Sequence, residues 1–170
     1  QFIQADAASR RGLIQALGCA MTEYDRITTD SWTVAFPSDW PDASESDGTL
    51  YFESPAGDKG FYISLWLMSD EETRGSRELI ESFQNTELSS FFPADETWHV
   101  ISHASEGDGK SATGYWEGIN GERKYWICGK QIAAGKHVLR ATFHDYDSLG
   151  PEASAGFFTT IVGSLALSAA

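Results

Sequence analysis

Positive charge is scarce in this chain: 12 lysines and arginines stand against 25 aspartates and glutamates, for a formal net charge of −13. The deficit argues against nucleic acid and anionic bilayers as ligands, because both are held by basic side chains that displace counterions. Cysteine is nearly missing. The two present, Cys19 and Cys128, supply neither a disulfide framework nor a metal-ligand spacing, and they fit a reducing compartment. Long apolar runs are also missing, and none approaches the length of a membrane span. Arg10–Ala20 has the outline of a charged region before a lipobox, yet Gln15 interrupts Leu13–Leu17. That stretch falls short of the 7–15 apolar residues a signal core needs, and Ala16 occupies the position where a lipobox carries leucine. The reading is a cytoplasmic protein.

Catalytic and metal motifs are equally sparse. His99 and His103 are four apart, but in an alternating strand pattern they share a face at about 13 Å, too far for a metal pair. His144-Asp145 reads as a solvated strand end rather than a catalytic pair. Cys128 lies in Tyr125-Trp126-Ile127-Cys128 and reads as a buried strand thiol rather than a nucleophile. Asp39, Asp42, Glu45 and Asp47 resemble a calcium loop in content but lack its spacing and terminal glutamate. Gly107, Gly109, Gly114, Gly118 and Gly121 precede no helix in the manner of a phosphate loop. The expectation is a protein that is not an enzyme and holds no cofactor and no metal, in which alanine at His99, His103, His144 or Cys128 affects stability alone.

What is abundant is aromatic surface, 13% of residues, distributed over short runs broken by Gly, Pro, Asn and Asp. Ser31–Phe36, Thr49–Glu53, Phe61–Met68, Trp98–His103, Ser111–Ile119, Glu122–Ala133 and His137–Tyr146 read as strands. Asn120-Gly121 is a strong hairpin signal. Leu79, Ile80, Phe83, Leu88, Phe91 and Phe92 form one stripe of a helix over 76–92, with Ser76 as its cap and Pro93 as its stop. A second helix over 151–167 starts with Pro151 at its first position and carries Ala153, Phe157, Ile161 and Leu165 at four-residue steps. The fold class is therefore α+β: an antiparallel sheet of about five to seven strands flanked by helices. Residues 31–170 form a single domain. Residues 1–30 are an N-terminal extension, for which there are two readings: a helix over 7–20, or a non-native stretch upstream of a start at Met21. Trp32, Val34, Phe36, Phe52, Ile63, Leu65, Phe83, Phe143, Phe157 and Ile161 are the expected core.

The opening Trp32-Thr33-Val34-Ala35-Phe36-Pro37-Ser38-Asp39-Trp40 resembles the strand, proline, short gap and tryptophan of the PsbP-like and DcrB-like proteins. The strand Phe61–Leu67, the helix ending Phe91-Phe92-Pro93, the later meander and the closing helix follow the same order, over residues 31–167. The resemblance implies an α/β/α sandwich and a mostly non-enzymatic group. That group includes photosystem accessory subunits, small lipoproteins, Ran-binding proteins, Eag-type chaperones of type VI secretion effectors and some immunity-type proteins. The first thirty residues depart from the Eag-type pattern.

Two function classes follow. One is an acidic protein-binding module: an immunity protein that neutralises a bacterial toxin with a basic surface, or an effector chaperone. The other is a small-molecule carrier or enzyme whose pocket the sequence does not reveal. For the first, the partner-binding candidates are the loop acids Asp39, Asp42, Glu45, Asp47, Asp70, Glu71, Glu72, Glu106 and Asp108, with Trp40 as an exposed aromatic. The partner is a protein, with no role for nucleic acid or membrane.

Overall fold

The computed structural model describes residues 22–44 and 49–168. Its frame is a six-stranded antiparallel sheet in the order β3-β4-β8-β7-β6-β5. The strands are β3 (Leu50–Glu53), β4 (Lys59–Leu67), β5 (Trp98–Gly107), β6 (Ser111–Asn120), β7 (Tyr125–Ala134) and β8 (His137–Asp145). Helix α1 (Ser76–Phe91) covers one face. Helix α2 (Pro151–Ser164) covers the other, together with a three-stranded sheet of β1 (Tyr24–Thr28), β2 (Trp32–Pro37) and β9 (Ala166–Leu167). The α+β reading holds, with the strands divided between two sheets.

Alternation along the strands creates the two faces. On β4, Phe61 and Ile63 point to α2, while Tyr62, Ser64 and Trp66 point to the α1 side. Phe61, Ile63, Phe143, Leu139, Trp126 and Cys128 join Trp32, Val34, Phe36 and Trp40 beneath α2, where Phe158 and Ile161 complete the main core. A smaller apolar cluster of Leu79, Ile80, Ala112, Ala133 and Val138 seats α1. Glycines let α1 and its aromatic partners approach closely. A Cβ on Gly129 would come within 2.2 Å of the Trp116 ring, and one on Gly118 within 2.4 Å of Phe92.

Helix ends are closed by tertiary partners. Gly75, not Ser76, is the α1 cap, and Glu78 reaches back to accept its N–H at 3.1 Å. The next two N–H groups donate to the carbonyls of Gly109 and Asp108 in the β5–β6 turn. Pro151 opens α2 as expected. Lys130 of β7 closes its other end, donating to the carbonyls of Val162 (2.7 Å) and Leu165 (3.1 Å). The helix therefore stops at Ser164, and Ala166–Leu167 pairs with β2.

Several expectations change. β1 lies within the segment read as an extension, and it pairs with β2 from Tyr24↔Pro37 to Thr28↔Thr33. Residues 1–21, where the helix or non-native reading falls, lie outside the described residues, as does Cys19. The Asn120-Gly121 hairpin exists, but its loop is residues 121–124. The Asn120 side-chain carbonyl accepts the Arg123 N–H, and Lys124 takes the left-handed position at φ +51°. Leu65, Phe83 and Phe157 are only partly buried, while Phe158, Trp116 and Trp126 are fully buried.

Candidate functional site

The loop acids separate into two groups. β4 runs from Lys59 at one end of the sheet to Leu67 at the other. The far end gathers the β4–α1 connector, the β5–β6 turn and the β7–β8 turn, joined by Met68 N–H to Lys136 O (2.8 Å) and Ser76 N–H to Gly109 O (3.0 Å). Asp70, Glu71, Glu72, Glu106 and Asp108 are therefore neighbours there. Asp39 and Asp42 lie elsewhere, on the β2–β3 connector that runs along β3. Glu45 and Asp47 lie outside the described residues.

Within the first group the carboxylates have different tasks. Lys136 pairs with Asp70, and Arg74 forks onto both oxygens of Glu72 at 2.9 and 2.6 Å. That hydrogen-bonded fork, with the Arg74 backbone N–H beside it, holds the Glu72 carboxyl down to about 2. Asp108 accepts the N–H groups of Lys110 (2.8 Å) and Ser111 (3.1 Å), which lowers its carboxyl and closes the turn. Asp42 performs a similar service for the Ser44 N–H at 2.9 Å. Asp39, Glu71 and Glu106 are exposed and make no ion pair or side-chain hydrogen bond among the described residues.

Trp40 is corrected. Only 6% exposed, it packs on Phe61, Phe157 and Phe158 at ring separations of 5.9–6.3 Å. Its polar neighbours in sequence suggested the surface, but the connector bends over the core and drives the indole inward. Trp66, 50% exposed, stands apart against Phe83 of α1, and Tyr24 lies on β1. A group of half-exposed aromatics lies on the α1 face, past the end of that helix. Trp98, Tyr125 and Tyr146 form a chain with ring separations of 5.2 Å, and Tyr51 stacks on Tyr62 at 4.2 Å.

His144 sits beneath that patch. It is 5% exposed, not a solvated strand end. Its Nδ1 meets the Tyr125 hydroxyl at 2.6 Å and its Nε2 the Thr142 hydroxyl at 3.1 Å. Burial, helped by the charge of Arg140, pushes its pKa down to about 3, so it stays neutral. Asp145 alternates to the other face, where Ser154 donates to it at 2.8 Å and Lys59 lies at 3.7 Å. The two side chains are thus committed to separate networks. His99 and His103 also separate. A bulge at Ile101 shifts the register, so His99 faces Ile119 on the α2 side and His103 faces Trp116 on the α1 side. The shared face expected of them is lost. Cys128 is fully buried, and burial raises its thiol pKa, which leaves it a poor nucleophile. Among the described residues no three His, Cys, Asp or Glu side chains are grouped to hold a metal.

One group escaped the sequence reading. Glu87 is buried in α1, accepting from Trp116 Nε1 at 2.5 Å, from the Gln131 amide and from Arg140, which pairs with it. Phe91 covers the Arg140 guanidinium at 5.9 Å. The available signal was position: Glu87 is the charged member of the stripe Ile80, Gln84, Glu87, Phe91. The cluster pins α1 to β6, β7 and β8, and all its charges are turned inward.

No protein-family model matches the chain, and no curated protein matches it in sequence. Solved structures do. The cyanobacterial PsbP protein CyanoP from Synechocystis sp. PCC 6803 aligns with a TM-score of 0.61 at 11% identity, over 92% of this chain and 99% of its own. The Ran-binding protein Mog1p of Saccharomyces cerevisiae aligns at 0.53 and 10% identity, over 86% of this chain and 96% of its own. The fold is PsbP-like. No helix among the described residues is long and apolar enough to cross a membrane.

Proposed function

We propose that this chain is a non-enzymatic protein-binding module, and that its specific form is an acidic immunity protein that neutralises a bacterial toxin in the cytosol. The observation that carries the reading is how its few cations are spent. Lys59, Arg74, Arg77, Arg123, Lys124, Lys136 and Arg140 each lie within 4 Å of a carboxylate of the same chain. Lys130 is consumed by the end of α2. Of the other described cations, Arg26 and Lys110 make no ion pair among the described residues. Most of the surplus acid therefore faces solvent without a paired cation, and such a surface draws in and orients a cationic protein. Asp39, Glu71 and Glu106 are the best-placed acids, because they are free of structural duties. Mog1p, by its description a Ran-binding protein, gives a precedent for protein binding on this architecture. His144, Asp145 and Cys128, the residues that could have served chemistry, are buried and occupied, which supports the non-catalytic reading.

The test is direct binding to the product of the gene adjacent to this one, followed by an assay of that product's toxicity or enzymatic activity. The expected result is a one-to-one complex in which the activity is suppressed. A complex with no suppression would favour an escort role over inhibition, and no complex would remove the proposal.

A further inference from the structure

The six-stranded sheet has two edges, and they are treated differently. The β3 edge is closed by the chain itself: Ala43 N–H donates to Tyr51 O (2.8 Å), Tyr51 N–H to Ser44 Oγ (2.8 Å) and Glu53 N–H to Pro41 O (3.3 Å). At the other edge, β5 is ten residues long and no described strand lies beyond it. Edges of that length are guarded by proline, by charged side chains such as lysine, or by bulges; Trp98–Gly107 contains no proline or lysine and has only the bulge at Ile101. The bulge at Ile101 sets Val100 and Ile101 side by side on the surface, 45% and 43% exposed. Acids flank this apolar centre: Asp95 and Glu96 before it, Glu106 and Asp108 after it. Residues 93–109 contain no lysine or arginine, although Lys110 follows Asp108 and Arg77 of α1 donates to the Gly107 carbonyl at 3.4 Å. Of the four acids only Glu96 has an ion-pair partner, Arg123 at 3.0 Å.

We propose that the outer edge of β5 is a docking strand that takes an extended segment of a protein partner, apolar in the middle and basic at both ends, as a seventh strand. The inference rests on the protein-binding reading and deepens it by naming the surface and the form of the ligand. Main-chain hydrogen bonds would hold the segment, and the flanking carboxylates would select its charge. Ten residues of strand span roughly 33 Å, which sets the separation of the basic ends. Charge also argues against a second copy of this chain. Antiparallel pairing of two β5 edges places Glu106 of one near Asp95 and Glu96 of the other, and like charges across a pair are unfavourable.

The experiment uses the full chain and three synthetic ten-residue peptides. Each alternates threonine and valine in its centre. The first ends in arginine, the second ends in glutamate, and the third has arginine ends but N-methylated amides along one edge. Residue-resolved amide hydrogen exchange is the readout. The arginine peptide should slow exchange at least tenfold at alternate amides within 98–107 and leave β1 unchanged. The glutamate peptide should need at least tenfold more concentration, and the N-methylated peptide should give no protection. The double variant D95R/E106R should reverse the preference between the first two peptides, an outcome that a folding defect cannot imitate. Unchanged exchange along β5 at saturating arginine peptide, or protection centred elsewhere, would overturn the proposal. So would an unreversed preference. Protection of the outward-facing β5 amides, those not paired with β6, before any peptide is added would also overturn it, because the edge would then be filled by this chain or a second copy. The partner reading is separated by I101K. If that variant binds the neighbouring gene product as tightly as the parent, the edge proposal falls and the protein-binding reading stands. If neither binds, the reading falls and the peptides alone decide the edge.

Discussion

Adjacent phenylalanines in α2 show how burial decides the cost of a side chain. Phe158 is fully buried against Trp126 and Phe143, while Phe157 is partly exposed beneath Lys59. Phe158→Ala should therefore cost about 3–5 kcal/mol, and Phe157→Ala distinctly less, measured by denaturant unfolding. Four-residue steps from Ala153 had pointed to Phe157. The step is right for a helix face, but the centre of the buried face lies one residue further on. His144 supplies a pH test. Its folded pKa is near 3 and its unfolded value is about 6.5. Between those values the unfolded state binds the proton and the folded state does not. The stabilisation is complete above pH 6.5 and is lost as pH falls. Each unit costs about 1.4 kcal/mol, so the chain should lose about 2 kcal/mol from pH 7.5 to 5. H144Q should be less stable at pH 7.5, yet should flatten the curve over that interval. An unchanged slope in H144Q would remove His144 as the cause.

At the scale of elements, the helices and the hairpin meander were legible, and the polar interior was not. Periodicity and Pro93 mark α1 because its stripe is local, and Pro151 marks α2 for the same reason. Nothing local marks Glu87, whose partners Gln131 and Arg140 lie 44 and 53 residues away. β1 was missed for a related reason. All but Ile27 of its five residues are exposed, so alternation is weak, and the strand exists through backbone pairing to β2. Trp40 misled in the opposite sense, because a polar connector carries a core residue. The Glu87 cluster gives the element-scale prediction. Glu87→Ala leaves Arg140 and the Trp116 N–H without their acceptor and should cost about 3–5 kcal/mol, as breaking one side of a buried pair does. Gly129→Ala should cost about 1–3 kcal/mol by forcing Trp116 aside. Both should loosen α1 before α2, read as faster amide exchange over 76–91 than over 151–164. Equal loosening of the two helices would show that α1 is not held separately.

For the whole molecule, the acidity is what fold and sequence both leave unexplained by stability. Among the buried acids, Glu87 and Asp145 have cations beside them and Glu117 accepts from Trp126 Nε1 at 2.7 Å, while the turn acids Asp42 and Asp108 are bound to backbone. The remaining carboxylates surround a chain in which most described cations are already engaged, Arg26 and Lys110 excepted. The likeness to CyanoP and Mog1p at 10–11% identity fixes the architecture alone. The most direct test is the association rate with the neighbouring gene product as salt rises from about 0.05 to 0.5 M, where the screening length falls several-fold. It should be measured for the parent and for the triple variant D39K/E71K/E106K, which touches no structural hydrogen bond. A cationic partner steered by this surface predicts a parental rate that falls at least tenfold over that range, and a variant that is slow at low salt and nearly flat. A parental rate independent of salt, or a variant as fast as the parent at about 0.05 M, would contradict the account.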